Sequence, residues 1–290
     1  MFLSSYHRFV KRLLPESKQL GRRPRRPRLH CESLEARIQQ SAFFFSTGAP
    51  DGRIATIAEP SNAHNSHVEY ESADDFVLTS ETRIDHATFT GLLTGGASPG
   101  DLKNVVVEIY RVFPNDSDVG RTSGPPTFST PHVPTRVNSP SDVAFKSLDS
   151  GDHELTFQTR VLSQHVSVGA SVSSADKISL KSGGNGPVTG KEVEFDVSFG
   201  RRSLDLPAGH YFFVPQVGLA SKAPAGAHFL WLSAPKPIVP PGTPFPAGSN
   251  DLQSWMRDDP PLAPDWLRIG TDIIGGTTFN ATFELSGETV

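Results

Sequence analysis

Apolar and polar residues alternate along much of the chain, most regularly in two segments. Residues 192–199 read Glu-Val-Glu-Phe-Asp-Val-Ser-Phe, and residues 279–286 read Phe-Asn-Ala-Thr-Phe-Glu-Leu-Ser. A two-residue period is typical of a β-strand with one buried and one exposed face. Further β-branched or alternating runs predict strands at 83–90, 104–112, 155–161, 166–172, 210–214 and 228–233.

No helical period separates these runs, and turn-forming residues are frequent. The chain of 290 residues contains 25 prolines and 25 glycines, interspersed with the β-rich runs. A parallel α/β fold needs crossover helices, and the Pro- and Gly-rich connections between these runs do not provide them. We therefore predict an all-β fold, an antiparallel β-sandwich or jelly roll, with long Pro-rich loops at 114–141 and 235–264. Loops of that length are often functional.

Charge divides the chain into two parts. Residues 1–40 contain ten Lys or Arg and three acids, although the whole chain has a net charge of −4. Pro24 and Pro27 interrupt the basic run, which predicts a disordered arm over residues 1–42 followed by a single β-domain over 43–290. No aromatic residues interleave the arginines, so the composition disfavours nucleic-acid binding.

Two resemblances point to export. Residues 25–37, Arg-Arg-Pro-Arg-Leu-x-x-Glu-Ser-Leu-Glu-Ala-Arg, resemble the basic Leu-Glu-x-Leu-Glu-x-Arg segment of exported planctomycete-type bacterial proteins. A disordered tail without an address function is the alternative for this segment. A wider stretch resembles an exported bacterial family of unknown function related to proteins with a PEP-CTERM sorting tail, in the segments 45–55, 71–76, 134–144, 206–215 and 265–272.

The resemblance implies an extracellular or cell-surface location. For such a location we expect extracellular polysaccharide or cell-envelope components as partners. The sequence given ends at Val290, where the sorting tail of that family would begin. We therefore expect secretion or N-terminal addressing in place of that sorting route, and no transmembrane segment. The oligomeric state stays open.

Aspartates suggest a structural metal site. Asp74, Asp75 and Asp272 fall in segments that the sequence predicts as loops at the ends of the sandwich. Ca²⁺ takes six to eight oxygen ligands, several of them carboxylates. The alternative is that these carboxylates cap turns in solvent, with no cofactor.

The three tryptophans lie close together in the sequence. Trp231 falls within an apolar run and is predicted to belong to the core, whereas Trp255 and Trp266 flank the second Pro-rich loop. If these two rings are exposed, they can stack on sugars, with Asp and Asn binding the hydroxyl groups; the alternative is that they too belong to the core.

Catalytic signatures are absent from the sequence. It contains no Gly-x-Ser-x-Gly or His-Glu-x-x-His pattern, and the one cysteine, Cys31, lies in the basic arm. Alternation places Glu192 and Glu194 on a solvated strand face and not in a catalytic pair. The sequence favours a non-catalytic exported β-sandwich with a structural or binding role; the alternative is a carbohydrate-binding module or a glycan-directed hydrolase.

Overall fold

The structure, a computed structural model, describes residues 41–61, 68–117, 133–175, 180–200, 204–276 and 278–290. They form two antiparallel-rich sheets, and the all-β prediction is confirmed. The predicted basic arm lies almost wholly outside the described residues.

The ten-stranded sheet contains β1 Ala42–Ser46, β2 Ile54–Ile57, β4 Thr82–Leu93, β7 Leu155–Val168, β8 Ala170–Val172, β9 Val188–Phe199, β10 Asp205–Leu206, β12 Phe229–Ala234, β15 Asn280–Ala281 and β16 Phe283–Thr289. The six-stranded sheet contains β3 Glu69–Leu78, β5 Leu102–Arg111, β6 Lys146–Asp149, β11 Gly209–Leu219, β13 Trp255–Asp259 and β14 Leu267–Arg268.

Strand β4 organises the larger sheet. It pairs antiparallel with β16, β9, β12 and β10, and β1 continues the sheet beyond β16. The short pair β2 and β8 is parallel, an exception to the predicted antiparallel arrangement. The smaller sheet runs β14, β13, β3, β11, β5, β6.

The main core lies between the two sheets and is rich in phenylalanine. Phe89 on β4 stacks on Phe195 on β9 with ring centroids 4.9 Å apart, and Phe213 on β11 stacks on Phe283 on β16 at 5.1 Å. Contacts between strands of both sheets bury the alternating apolar residues that the sequence identifies. Trp231 is 1% exposed in this core, as predicted.

The outer face of the six-stranded sheet is unusually polar. Strand β3 presents Glu69, Glu71 and Asp75 there, and β5 presents Glu108 and Tyr110, because alternate residues of both strands point into the main core. A small third cluster, which includes Leu252, packs over this face. The outer face is therefore covered by other chain segments and buries charged groups as well as apolar ones.

Two parts of this sheet differ from the sequence prediction. Strand β3, predicted as loop, carries four acids in ten residues and shows no clean alternation. Strand β13 interrupts the second Pro-rich loop, which therefore is not one continuous loop over 235–264. Short helical turns occur at Pro99–Asp101, Ser150–Asp152 and Ile269–Ile274, and no helix in the described ranges has the length and apolar character to cross a membrane.

Candidate functional site

A cavity of about 300 Å³ lies where the two Pro-rich loops meet beside β13 and β14. Its lining combines apolar surface with amide, hydroxyl, carboxylate and guanidinium groups. One wall comes from the first loop and the other from the segment leading into β13. The lining residues are Thr135, Val137, Asn138, Asn250, Asp251, Leu252, Gln253, Trp255 and Arg268.

Arg136 fixes the first wall. Its side chain is fully buried and donates to Asp142 Oδ1 and Asp265 Oδ1, each at 2.9 Å. It also donates to Ser139 Oγ at 2.8 Å, and its guanidinium lies 4.5 Å from the ring centre of Phe113. One side chain therefore ties the loop that carries Thr135, Val137 and Asn138 to the loop that precedes Trp266.

Asp75 and Lys236 fix the second wall. The backbone N–H of Leu252 donates to both carboxylate oxygens of Asp75, at 3.0 and 3.2 Å. Lys236 Nζ donates to Asp251 Oδ1 and to the carbonyl oxygen of Leu252. Because these contacts hold the backbone on both sides of Leu252, the pocket wall is positioned by the sheet beneath it.

Trp255 forms the inner end of the pocket. It is 1% exposed, and its indole N–H has no hydrogen-bond acceptor among the described residues. The preceding residue, Ser254, donates to Asp74 Oδ1 at 2.9 Å, and Asp74 Oδ2 accepts from the backbone N–H of Ala281 at 2.9 Å. Asp74 thus joins the six-stranded sheet to β15 of the other sheet directly behind the pocket.

Arg268 supplies the positive charge of the lining. Its guanidinium donates to both oxygens of Asp272, with the shortest contact, from Nη2, at 2.6 Å. The backbone N–H of Arg268 donates to Asp272 Oδ2 at 3.0 Å. The turn Ile269–Ile274 therefore folds back and holds the guanidinium in place at the pocket.

Burial perturbs the carboxylates behind the pocket. It raises the pKa of Asp74 well above its usual value, and the neighbouring charge of Asp75 adds to that shift. Burial also raises the pKa of Asp75, which the hydrogen bond with His210 Nε2, 2.6 Å long, opposes. Hydrogen-bond donors stabilise a buried carboxylate. The backbone N–H of Leu252 donates to Asp75, and the hydroxyl of Ser254 donates to Asp74.

The predicted Ca²⁺ ligands have other partners. Asp74 and Asp75 lie inside strand β3 and not in a loop, and Asp272 is paired with Arg268. Their oxygens accept from backbone and side-chain donors, and no group of three His, Cys, Asp or Glu suited to a metal occurs among the described residues. The sequence identified residues that matter for the pocket, but their observed role is to hold its walls.

The two predicted sugar-stacking tryptophans are both buried. Trp266 is fully buried, donates from Nε1 to the Ser141 carbonyl at 3.0 Å, and packs edge-on against Tyr110. Of the two alternatives for these rings, exposure or burial, the structure shows burial, because the segments around β13 fold over the polar face of the sheet. Only Trp255 of the two lines the pocket.

Sequence reasoning did not single out the amides of the lining. Asn138 and Asn250 are exposed, and Asn138 has a backbone φ of 61°, the left-handed conformation that asparagine tolerates well. The signal that pointed to them was the pair of long Pro-rich loops from which they come. In comparisons with known proteins, no family model, curated protein or solved structure matches this chain.

Proposed function

We propose that this protein is a non-catalytic, exported or cell-surface β-sandwich that binds a saccharide unit in the pocket between its two Pro-rich loops. The observation that carries the proposal is the lining, in which Asn138, Asn250, Gln253 and Arg268 surround one cavity beside Trp255. Ligand sites of this kind combine an apolar surface with a few placed polar groups.

The lining matches the chemistry of a sugar. Amide groups both donate and accept hydrogen bonds, as sugar hydroxyl groups do, and a guanidinium adds fixed donors. Gln253 Oε1 accepts from Thr271 Oγ1 at 2.9 Å. This contact fixes the orientation of the amide, so that Nε2 points away from Thr271. The volume of about 300 Å³ is at the lower end of ligand pockets, which favours one or two sugar units over a long chain.

Binding is favoured over hydrolysis by the carboxylates. Glycosidases in most families use a pair of carboxyl groups across the scissile bond. Among the described residues, the pocket lining contains one carboxylate, Asp251, and that group already accepts from Lys236 and from Asn280 Nδ2 at 3.2 Å. A glycan-directed hydrolase is the second candidate function. It requires that a second carboxyl group of the protein reach the pocket when substrate is bound.

The proposed location depends on the N-terminal segment. Residues 25–37 resemble an export-associated segment, and they lie outside the described residues. An extracellular polysaccharide or cell-envelope glycan is the partner that fits both this location and the pocket. Fractionation of the source cell tests the location, and recovery in the cytoplasm would contradict it.

A glycan array with matched variants tests the pocket. Asn138→Gly with Asn250→Ala removes two exposed amides, and glycine accepts the backbone conformation of residue 138. The matched control, Gln158→Ala with Gln164→Ala, removes two exposed amides from β7, which does not line the pocket.

We expect the wild type and the β7 control to bind the same glycans, and the pocket variant to lose at least tenfold in affinity by calorimetry. The proposal fails if no glycan binds the wild type, or if the pocket variant binds as well as the control. Release of reducing ends from a bound glycan would instead favour the hydrolase.

A further inference from the structure

The oxygen atoms in the lining of the pocket between the two Pro-rich loops already accept hydrogen bonds. Asp251 Oδ1 accepts from Lys236 Nζ, and Asp251 Oδ2 accepts from Asn280 Nδ2 at 3.2 Å. Thr135 Oγ1 accepts from the backbone N–H of Val137 at 3.0 Å. These acceptors of the lining therefore have donors within the protein before any ligand binds.

Two nitrogen atoms of the lining residues are unused donors. Arg268 donates to Asp272 from Nε and Nη2, and its Nη1 has no acceptor among the described residues. Gln253 Oε1 accepts from Thr271 Oγ1, whereas Nε2 of the same amide has no acceptor in the part of the chain that the structure describes. The side chain of Arg268 is 27% exposed, so a ligand in the pocket can reach its guanidinium.

One turn holds both of these donor groups. Asp272 and Thr271 belong to the turn Ile269–Ile274, and they fix Arg268 and Gln253 through hydrogen bonds of 2.6 and 2.9 Å. Because both side chains are held before a ligand binds, little conformational entropy is lost when they donate to it. The turn therefore presents preorganised donors to the pocket.

The charges around the pocket also admit an anion. Lys236 pairs with Asp251, so the carboxylate of the lining adds no unbalanced negative charge. Arg268 pairs with Asp272, whose side chain is only 4% exposed and does not line the pocket. A ligand in the pocket therefore meets the guanidinium of this second pair and not its carboxylate.

We propose that the sugar bound in this pocket carries a carboxylate, as a uronic acid does; this inference deepens the saccharide binding proposed above and rests on it. A carboxylate only accepts hydrogen bonds, and it has two oxygens for the free N–H groups of Arg268 and Gln253. Its bonds to a guanidinium are charge-assisted and stronger than those of a neutral hydroxyl group. Asn138 and Asn250 carry both a donor and an acceptor, which suits the hydroxyl groups of the same sugar.

A glycan array and calorimetry test this class of ligand. The array carries oligosaccharides of glucuronate, galacturonate and mannuronate beside neutral oligosaccharides of glucose, galactose and mannose with the same linkages, and sulfated forms of the neutral series. The uronate disaccharide that binds best and its neutral counterpart are then titrated into the full chain at pH 7. We expect the uronate to bind at least tenfold more tightly.

Gln253→Glu is the decisive variant. It keeps an oxygen for the Thr271 hydroxyl and replaces the free donor Nε2 with a negatively charged oxygen. We expect the ratio of the uronate affinity to the neutral-sugar affinity to fall at least tenfold. The control Gln158→Glu makes the same change at an exposed glutamine of β7, which does not line the pocket, and leaves the ratio as in the wild type.

Arg268→Lys gives a second variant if Gln253→Glu does not fold, as judged by its melting curve. It keeps a positive charge beside Asp272 and removes Nη1, so the ratio is again expected to fall. Neutral sugars that bind as tightly as uronates would overturn this inference and leave saccharide binding in place, as would sulfated sugars that bind more tightly than uronates. A ratio that stays unchanged in Gln253→Glu and Arg268→Lys would also overturn it, and an array with no bound glycan would overturn both proposals.

Discussion

Glu108→Gln is expected to stabilise the protein at alkaline pH when divalent ions are chelated. Burial, followed by the charges of Glu71 and Glu69, raises the pKa of Glu108 from 4.5 to about 8. Between these two values the folded state keeps a proton that the unfolded state has released. Stability therefore falls as the pH rises from about 4.5 to about 8, and above that range the full cost of the buried charge is present.

The size of this effect follows from the shift. A displacement from 4.5 to about 8 corresponds to about 5 kcal/mol of unfolding free energy as an upper limit. Glutamine keeps the side-chain size and a hydrogen-bonding group beside the Tyr110 hydroxyl, which lies 3.0 Å from Glu108 Oε2, and removes the charge. We expect a gain of about 2–4 kcal/mol at pH 9 and almost none at pH 4.5, because the neutral acid and the amide are then nearly equivalent.

Urea unfolding with a chelator, at pH 4.5, 6, 7.5 and 9, measures the difference between wild type and variant. The control Glu81→Gln, an exposed glutamate, is expected to follow the wild type at every pH. A constant difference between Glu108→Gln and wild type across the series would refute the reasoning, because a buried charge that titrates in this range must change it.

Three further changes test how the fold and the pocket are held. Arg136→Met removes the buried guanidinium that pairs with Asp142 and Asp265 and is expected to cost about 3–5 kcal/mol in urea unfolding, whereas Arg160→Met, which breaks an exposed ion pair, costs under about 1 kcal/mol. Trp231→Phe loses the 2.8 Å hydrogen bond from Nε1 to the Thr282 carbonyl and leaves a cavity, so the melting temperature falls, with a loss of about 2–3 kcal/mol. Gly287→Ala places a Cβ 1.9 Å from a carbonyl oxygen of β4, and we expect amide exchange of β1 and β16 to accelerate; unchanged protection would contradict the close packing at this bulge.

The strands that the sequence predicts well are those with one plainly apolar face. Strand β9 buries Val193, Phe195 and Val197 completely, as the alternation of residues 192–199 indicates. Its outward residues face solvent or contact the neighbouring β7. The apolar residues therefore lie on one face and the polar residues on the other. The hydrophobic effect alone fixes which face turns inward for such a strand.

Strand β3 was not predictable in this way, since both of its faces are covered. Asp74 points toward the other sheet and Asp75 toward the outer face, and both are 1% exposed. Acids in a buried strand are stable only where other segments supply donors, and those segments are distant in the sequence: Ser254 is 180 residues from Asp74. No local pattern predicts such a distant partner. The burial of Trp255 and Trp266 was not predictable for the same reason, because the segments that cover them are also distant in the sequence.

Strands β3 and β13 together explain why the pocket and the buried acids of the outer face are neighbours on one sheet. They pair antiparallel, with Trp255 opposite Ala73 and Arg257 opposite Glu71. Toward one end of this pair, the acids of β3 accept from the backbone and side chains of the segment before Trp255 and so position the pocket. Toward the other end, Arg257 neutralises Glu71 but leaves Glu69 without an ion-pair partner among the described residues. The acids of one strand thus have two roles: Asp74 and Asp75 position the pocket, and Glu71 pairs with the buried Arg257.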